Sequence, residues 1–217
     1  MNHIIPAIIP ESFQMLEAAL STVRGFGREA QIDVVDGAFV PARSWPFTEG
    51  DVSDLARLSP AFILEADLMV EAPEDAIPGF SRFGVRKMVV HAESVRDWDR
   101  IREQRAKLGF SLGLSILNDS PLSLLLDRVS HIDYVQLMGI KTIGVQGEPF
   151  DERVLERICA VRAQHPDLMI SVDGSVNETT LPKLIEAGAD RFVVGSAIFD
   201  APNPAEAYGR LTRIEVL

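Results

Sequence analysis

The chain has 217 residues, of which 47% are hydrophobic and 24% are charged, and its formal net charge at pH 7 is −11. This acidic balance excludes the class of nucleic-acid-binding proteins, which need a basic surface to neutralise phosphates. No stretch approaches the roughly eighteen consecutive apolar residues of a membrane-spanning helix, so no membrane association is expected.

Cysteine usage and the first residues bear on the compartment. The start, MNHIIPAIIPESF, has no basic region followed by a long apolar stretch, so we expect no signal peptide. The single cysteine, Cys159, cannot form an intramolecular disulfide, which fits a reducing cytoplasm. It lies in the helical pattern ERICAVRAQ, where we expect a small core residue. The sequence predicts a cytoplasmic protein.

Short apolar runs of strand length alternate along the chain with segments of helical periodicity. We expect strands over residues 4–9, 30–35, 62–69, 87–91, 110–115, 133–138, 169–172 and 191–194. We expect helices over residues 11–23, 94–108, 152–164, 178–187 and 204–214, with a weaker helical pattern in the second, third and fifth connections.

Eight alternations of about 27 residues each predict an α/β fold, a single (β/α)8 TIM barrel over residues 1–217. A doubly wound open sheet is the competing fold, but the chain lacks the glycine fingerprint of a dinucleotide site, which favours closure. In a barrel, active-site residues are expected at the C-terminal ends of the strands.

Two aspartates stand three residues apart in the apolar run QIDVVDGAFVP, which covers residues 31–41. Side chains alternate along a strand, so Gln31 and Asp33 share one face while Asp36 points the other way. Asp36 and Gly37 form an Asp-Gly pair that is typical of a turn. Asp33 is therefore expected at the barrel mouth.

The same parity identifies further carboxylates at strand ends. Asp67 lies in the third predicted strand, and Asp173 ends the seventh. Because strands two and seven are almost opposite in an eight-stranded ring, Asp33 and Asp173 are expected to flank a small planar intermediate, one on each face.

Five segments of the chain form long motifs around these residues. They are QIDVVDGAFVP (31–41), ADLMVEAPE (66–74), VHAE (90–93), SVDGSVNETT (171–180) and AGADRFVVGSAIF (187–199). Together they resemble the ribulose-phosphate 3-epimerase family, a phosphate-binding (β/α)8 barrel. The resemblance implies that Asp33 and Asp173 exchange the substrate's C3 proton through an enediolate, beside a divalent metal. It also implies a homodimer.

The metal site departs from the family pattern, in which two histidines and both aspartates bind the metal. Gln31 stands where the family has the first histidine, and Asp67 where it has the second. The predicted metal ligands Gln31, Asp33, Asp67 and Asp173 offer only oxygen, which favours magnesium or manganese over zinc. His91, which matches the family's His-x-Glu, is expected behind these ligands.

Glycine-containing turns after strands seven and eight predict an anion site, because these loops form the common phosphate site of such barrels. With a net charge of −11, backbone N–H groups are the expected donors. The sixth loop, GIKTIGVQGEPF, departs from the family's Pro-Gly-Phe-Gly-Gly-Gln. The predicted phosphate- and substrate-binding residues are Gly174, Ser175, Gly195, Ser196, Met69, Met138, Gly144 and Gly147.

The sequence thus predicts an isomerase that epimerises a ketose phosphate. Two alternatives stay open: a catalytically silent sugar-phosphate-binding or interaction protein of the same fold, and a Schiff-base aldolase that uses Lys141. The related decarboxylase/synthase group is disfavoured, because its Asp-x-Lys-x-x-Asp motif is absent from strand three, which reads Glu65-Ala66-Asp67.

Overall fold

A computed structural model describes residues 1–58 and 62–215. Eight parallel strands in this part of the chain close into a barrel, in which each strand pairs with its neighbours in chain order and the last pairs with the first. The strands are β1 (His3–Ile8), β2 (Glu29–Val35), β3 (Ile63–Met69), β4 (Lys87–His91), β5 (Ser111–Ile116), β6 (Tyr134–Met138), β7 (Met169–Asp173) and β8 (Arg191–Val194). The predicted closed barrel is confirmed, and each predicted strand is within one residue of the observed one at both ends.

Helices cover the outside of the barrel. They are α1 (Phe13–Val23), α2 (Pro73–Arg82), α3 (Trp98–Leu108), α4 (Ser123–Leu126), α5 (Arg153–Gln164), α6 (Leu181–Ala187), α7 (Ser196–Phe199) and α8 (Pro204–Thr212). The starts of α1, α3 and α8 are capped by Ser12, Asp97 and Asn203, whose side chains accept backbone N–H groups of the first turn.

The three connections with a weak helical pattern differ from one another. The second holds a 3-10 helix (Val52–Arg57), and the fifth holds α4 followed by a 3-10 helix (Val129–His131). The third holds α2, an ordinary helix of ten residues that begins at Pro73. Proline is favoured at the first helical position because its fixed φ suits the helix and its missing N–H is not needed there.

The hydrophobic core lies between the strands and the helices. Ile32 and Val34 of β2 point outward into it, and Leu16 and Leu20 of α1 belong to the same cluster; all four are almost completely buried. Burying a side chain of this size contributes about 1.5–3 kcal/mol to folding. The core therefore stabilises the barrel from outside and leaves its interior free for polar groups.

Buried charges occupy the barrel interior below the mouth. Arg191 of β8 donates to Glu65 Oε1 at 2.8 Å, and the hydroxyl of Tyr134 donates to Glu65 Oε2 at 2.7 Å. The Arg191 guanidinium also lies over the Tyr134 ring, 5.3 Å from its centroid. Glu65 and Arg191 are almost completely buried, so the Glu65 charge depends on Arg191 for compensation, whereas Arg191 also lies 3.9 Å from Glu29.

Cys159 is exposed on α5, contrary to the core position expected from the sequence. The buried side of α5 carries Val154, Ile158 and Val161. Cys159 follows Ile158 by one residue, which rotates it by about 100° around the helix, away from the core. In the described residues, none of the helices has the length and apolar character needed to cross a bilayer.

Candidate active site

Three aspartates meet near the C-terminal ends of the strands. Asp33 and Asp67 lie beside each other in register on β2 and β3, and Asp173 ends β7. Each contributes a carboxylate oxygen, and the three oxygens all lie within 4.8 Å of one another. Asp67 is fully buried and Asp33 is 5% exposed. Barrel closure thus brings together the carboxylates that strand parity selected.

Two buried glutamine amides bridge these carboxylates. Gln31 Nε2 donates to Asp33 Oδ1 at 2.9 Å and to Asp173 Oδ2 at 3.0 Å. Gln136 Nε2 donates to Asp67 Oδ2 at 2.9 Å and lies 3.4 Å from Asp173 Oδ2. Within the described part of the chain, the Oε1 atoms of both glutamines have no hydrogen-bond partner.

His91 lies behind Asp67, where the sequence predicted it. Its Nε2 is 3.1 Å from Asp67 Oδ1, and both side chains are fully buried. Burial alone would lower the pKa of His91, but the charge of Asp67 and the hydrogen bond to it raise that pKa above its usual value. His91 is thereby a candidate counter-charge for the acidic group.

The two aspartates predicted to be catalytic both hold protons more tightly than usual. Burial raises the pKa of Asp33 well above its usual range, and the charges of Asp173 and Asp67 raise it further. Burial and the charge of Asp67 raise the pKa of Asp173 to about 7. Neighbouring carboxyls whose pKa values are raised in this way suit a pair in which one group gives a proton and the other takes one.

A cavity of about 410 Å³ opens above this group and is lined by Asp33 and Asp173. All the predicted phosphate- and substrate-binding residues line it: Gly174, Ser175, Gly195, Ser196, Met69, Met138, Gly144 and Gly147. Gly174 has a φ of 98°, which only glycine adopts easily. A cavity of this size suits a small metabolite.

The charges around the cavity are of one sign. The charged residues in its lining are Asp33, Glu148, Asp173 and Asp200. An anionic ligand therefore depends on uncharged donors, such as backbone N–H groups. In the described residues, the backbone N–H groups of Gly174, Ser175 and Gly195 donate no hydrogen bond to another backbone group outside the helices and strands. Ser196 is the first residue of α7, where a backbone N–H has no partner within the helix.

Other predicted residues lie outside the cavity lining. Gln31 and Asp67 are fully buried and contact the site from within the barrel wall. Lys141 is exposed and is not among the lining residues, so the geometry gives no support to a Schiff base at that lysine. Asp36 forms the expected turn, in which its Oδ1 accepts the N–H groups of Ala38 and Phe39.

Gln136 was not predicted from the sequence. It lies on β6 two residues before Met138, on the same inward-facing side. Strand parity, which selected Asp33 and Asp67, would have selected it too. The family motifs do not include it, and an uncharged glutamine in an apolar strand carries little signal of its own.

The residues around the triad fit a divalent cation. Opposite oxygens in a coordination shell are about 4.2 Å apart for magnesium and about 4.8 Å apart for calcium, and the three carboxylate oxygens lie within 4.8 Å of one another. Gln31, the fourth predicted ligand, has a buried Oε1 without a partner in the described residues. Carboxylate and amide oxygens are ligands that hard cations prefer.

The sequence comparisons with known proteins agree on one family. The model of the ribulose-phosphate 3 epimerase family matches residues 3–199. The ribulose-phosphate 3-epimerase of Bacillus subtilis is 30% identical over 97% of this chain and 98% of its own length. That of Aquifex aeolicus is 30% identical over 93% and 91%. A solved 3-hexulose-6-phosphate synthase superposes with a TM-score of 0.73 at 20% identity, covering 96% of this chain and 97% of that one, which supports the fold alone.

Proposed function

The chain belongs to the ribulose-phosphate 3-epimerase family, and on that premise we propose that it is an isomerase that epimerises a ketose phosphate in the cavity at the barrel mouth. The observation that carries the proposal is the pair Asp33 and Asp173. They come from β2 and β7, on nearly opposite sides of the barrel, and both line the same cavity. Epimerisation needs two proton-transfer groups that reach opposite faces of one carbon.

The two carboxyl groups perform complementary steps. One carboxylate removes the proton from C3, and the electron pair of the C–H bond moves toward the C2 carbonyl to form an enediolate. The other carboxyl group, protonated, delivers a proton to C3 from the opposite face and regenerates the carbonyl. General acid–base catalysis of this kind accelerates a reaction by about 10²–10⁴-fold.

The phosphate of the substrate binds, in this proposal, beside the loops after β7 and β8. The candidate donors are the N–H groups of Gly174, Ser175, Gly195 and Ser196, all of which line the cavity. The lining offers acidic but no basic side chains, so an anion would be held by uncharged donors, among which the backbone N–H groups at these turns are the candidates. Met69 and Met138, which end β3 and β6, supply apolar contacts in the lining.

The family uses a divalent metal, and the acidic triad could hold one. When bound, such a metal would stabilise the negative charge that develops on the substrate oxygen. Asp33, Asp67, Asp173 and Gln31 would hold it. Because these ligands offer oxygen and no imidazole nitrogen, we assign the site to magnesium or manganese in preference to zinc.

Proton exchange tests the function. The protein is incubated in deuterated water with pentulose and hexulose phosphates, with and without magnesium or manganese, and deuterium at C3 is followed by NMR. We expect deuterium incorporation that inorganic phosphate inhibits by competition. Absence of exchange with every substrate would favour the silent sugar-phosphate-binding protein, and a borohydride-trapped adduct on Lys141 would favour the aldolase.

Asp67→His should shift the metal preference toward zinc, because it restores one imidazole ligand. We expect the ratio of zinc to manganese affinity to rise by about tenfold or more. Calorimetric titration of chelator-treated wild type and variant with each metal salt measures this ratio. Tight zinc binding by the wild type, with no response to magnesium or manganese, would contradict the assignment to an oxygen-preferring ion.

A further inference from the structure

Two fully buried glutamines join the three aspartates into one hydrogen-bonded group. Gln31 links Asp33 to Asp173, and Gln136 links Asp67 to Asp173. Asp173 Oδ2 accepts from both amides. Each amide thus supplies a partial positive charge between two carboxylates, which reduces their mutual repulsion.

Each of these amides also has an oxygen without a donor. In the described residues, Gln31 Oε1 and Gln136 Oε1 have no hydrogen-bond partner, although both side chains are fully buried. Native proteins rarely leave buried acceptors unsatisfied. An acidic cluster alone would not identify what binds there. The two amide oxygens beside it, which have no hydrogen-bond partner, are further oxygen ligands of the kind that a hard cation prefers.

The distance between the Gln136 amide and Asp67 suits binding of a cation by Gln136 after a half-turn (180°) of its terminal amide. The nitrogen and oxygen of an amide are nearly the same size, so the half-turn exchanges them with little change in shape. The oxygen would then take the place of Nε2, which is 2.9 Å from Asp67 Oδ2. Adjacent oxygens around magnesium, at metal–oxygen distances of about 2.0–2.1 Å, are about 2.9 Å apart.

We propose that Gln136 is a cation ligand of this site and that its amide serves in two orientations. In the cation-free protein the amide NH2 group donates to Asp67 and Asp173. In the cation-bound protein the amide oxygen binds the ion, and so does the oxygen of Gln31 after the same half-turn of its amide, whose Nε2 otherwise faces Asp33 and Asp173. This inference rests on the cation site of the proposed function and extends it with a ligand from β6.

An amide is required at this position because the cation-free form needs a hydrogen-bond donor there, whereas the cation-bound form needs an oxygen ligand. Leucine would supply neither a donor nor a ligand. Glutamate would supply a ligand but would add a fourth carboxylate to Asp33, Asp67 and Asp173 in the cation-free form. Glutamine therefore stabilises both forms, and the two substitutions separate its two roles.

Titration of the chelator-treated full-length protein with manganese chloride alone, by calorimetry and by manganese EPR, tests the proposal. We expect Gln136→Leu to weaken manganese binding by about tenfold or more. We expect Gln136→Glu to bind manganese at least as tightly as the wild type, while its cation-free form unfolds at a lower temperature. Ser171→Ala is the matched control, since Ser171 is buried, faces inward and pairs in register with Gln136; its manganese affinity should equal that of the wild type.

A magnesium titration followed by NMR reports directly on the side-chain amide of Gln136. The side-chain NH2 signal of Gln136 in nitrogen-15 spectra, assigned by its loss in Gln136→Leu, should shift when magnesium binds, because the NH2 group leaves its carboxylate acceptors. The side chain of Gln164, exposed at the end of α5, should keep its signal position.

Three results would overturn the proposal. They are no manganese binding by the wild type, wild-type manganese affinity in a folded Gln136→Leu, and weaker binding in Gln136→Glu. The last result decides the matter even if Gln136→Leu does not fold. None of these titrations contains a ketose phosphate, so a negative proton-exchange assay would refute the proposed function and leave this inference standing.

Discussion

Asp173→Asn should slow epimerisation at C3 of the substrate by about two orders of magnitude or more, the scale of general acid–base catalysis. Asparagine keeps the shape of the side chain and can still accept from Gln31 and Gln136, but it cannot take up or release the proton. Asp33→Asn should have an effect of the same size, because each face of the carbon needs its own group. NMR in deuterated water measures both rates.

Asp173→Asn should also leave the cation-free protein at least as stable as the wild type. Burial and the charge of Asp67 raise the pKa of Asp173 to about 7 in the folded state, above the unfolded value near 4. A carboxyl with a raised folded pKa favours folding most below about pH 4, and this contribution is lost as the pH rises toward 7. Above pH 7 the chelator-treated Asp173→Asn variant should therefore unfold at an equal or higher temperature.

Asp36→Asn is the matched control for these variants. Asp36 lies three residues after Asp33 but serves the turn, where its Oδ1 accepts two backbone N–H groups. An asparagine oxygen can accept the same two N–H groups, and the bond lost is the one from the Glu71 N–H to Oδ2, which lies outside the acidic triad, so epimerisation should proceed at close to the wild-type rate. Epimerisation at the wild-type rate in Asp173→Asn, or an equal loss in Asp36→Asn, would contradict the assignment of the proton-transfer pair.

Arg191→Met should destabilise the protein by about 3–5 kcal/mol, the usual effect of removing one partner from a buried ion pair. Arg191 is 1% exposed and Glu65 is fully buried, so the substitution leaves the Glu65 carboxylate in the barrel interior with Tyr134 as its remaining close donor. Methionine fills most of the volume of the arginine stem, so the loss reports charge compensation more than packing. Denaturant unfolding at neutral pH measures the change.

Adding Glu65→Gln to Arg191→Met should recover most of this loss. Glutamine still accepts the hydrogen bond from Tyr134 and carries no charge, so the double variant buries neither member of the pair as an ion. The double-mutant cycle then gives the coupling energy between the two residues. Arg100→Met is the exposed control, because Arg100 pairs with Asp75 at the surface, where such pairs contribute little. A small effect of Arg191→Met would mean that water or another cation compensates Glu65.

Local patterns in the sequence were enough to predict the barrel and to place Asp33 and Asp173 at its mouth. Apolar runs, helical periodicity and the two-residue alternation of strands depend on neighbours in the chain, so they predicted each strand to within one residue. The same alternation selected Asp33 and Asp67, and the position of Asp173 before a glycine turn marked a strand end. The helix in the third connection, α2, was harder to predict because it contains an internal proline, Pro78.

What the sequence alone determined was therefore which side chains face inward and at which end of a strand they lie. The closed barrel decided which of these side chains touch, because the contacts join residues far apart in the chain. Gln31 contacts Asp173, 142 residues away, and Glu65 contacts Arg191, 126 residues away. Such contacts depend on the stagger and curvature of all eight strands together. The amide of Gln136 belongs to the acidic site for the same reason, since only closure carries β6 to within hydrogen-bond distance of Asp67 on β3.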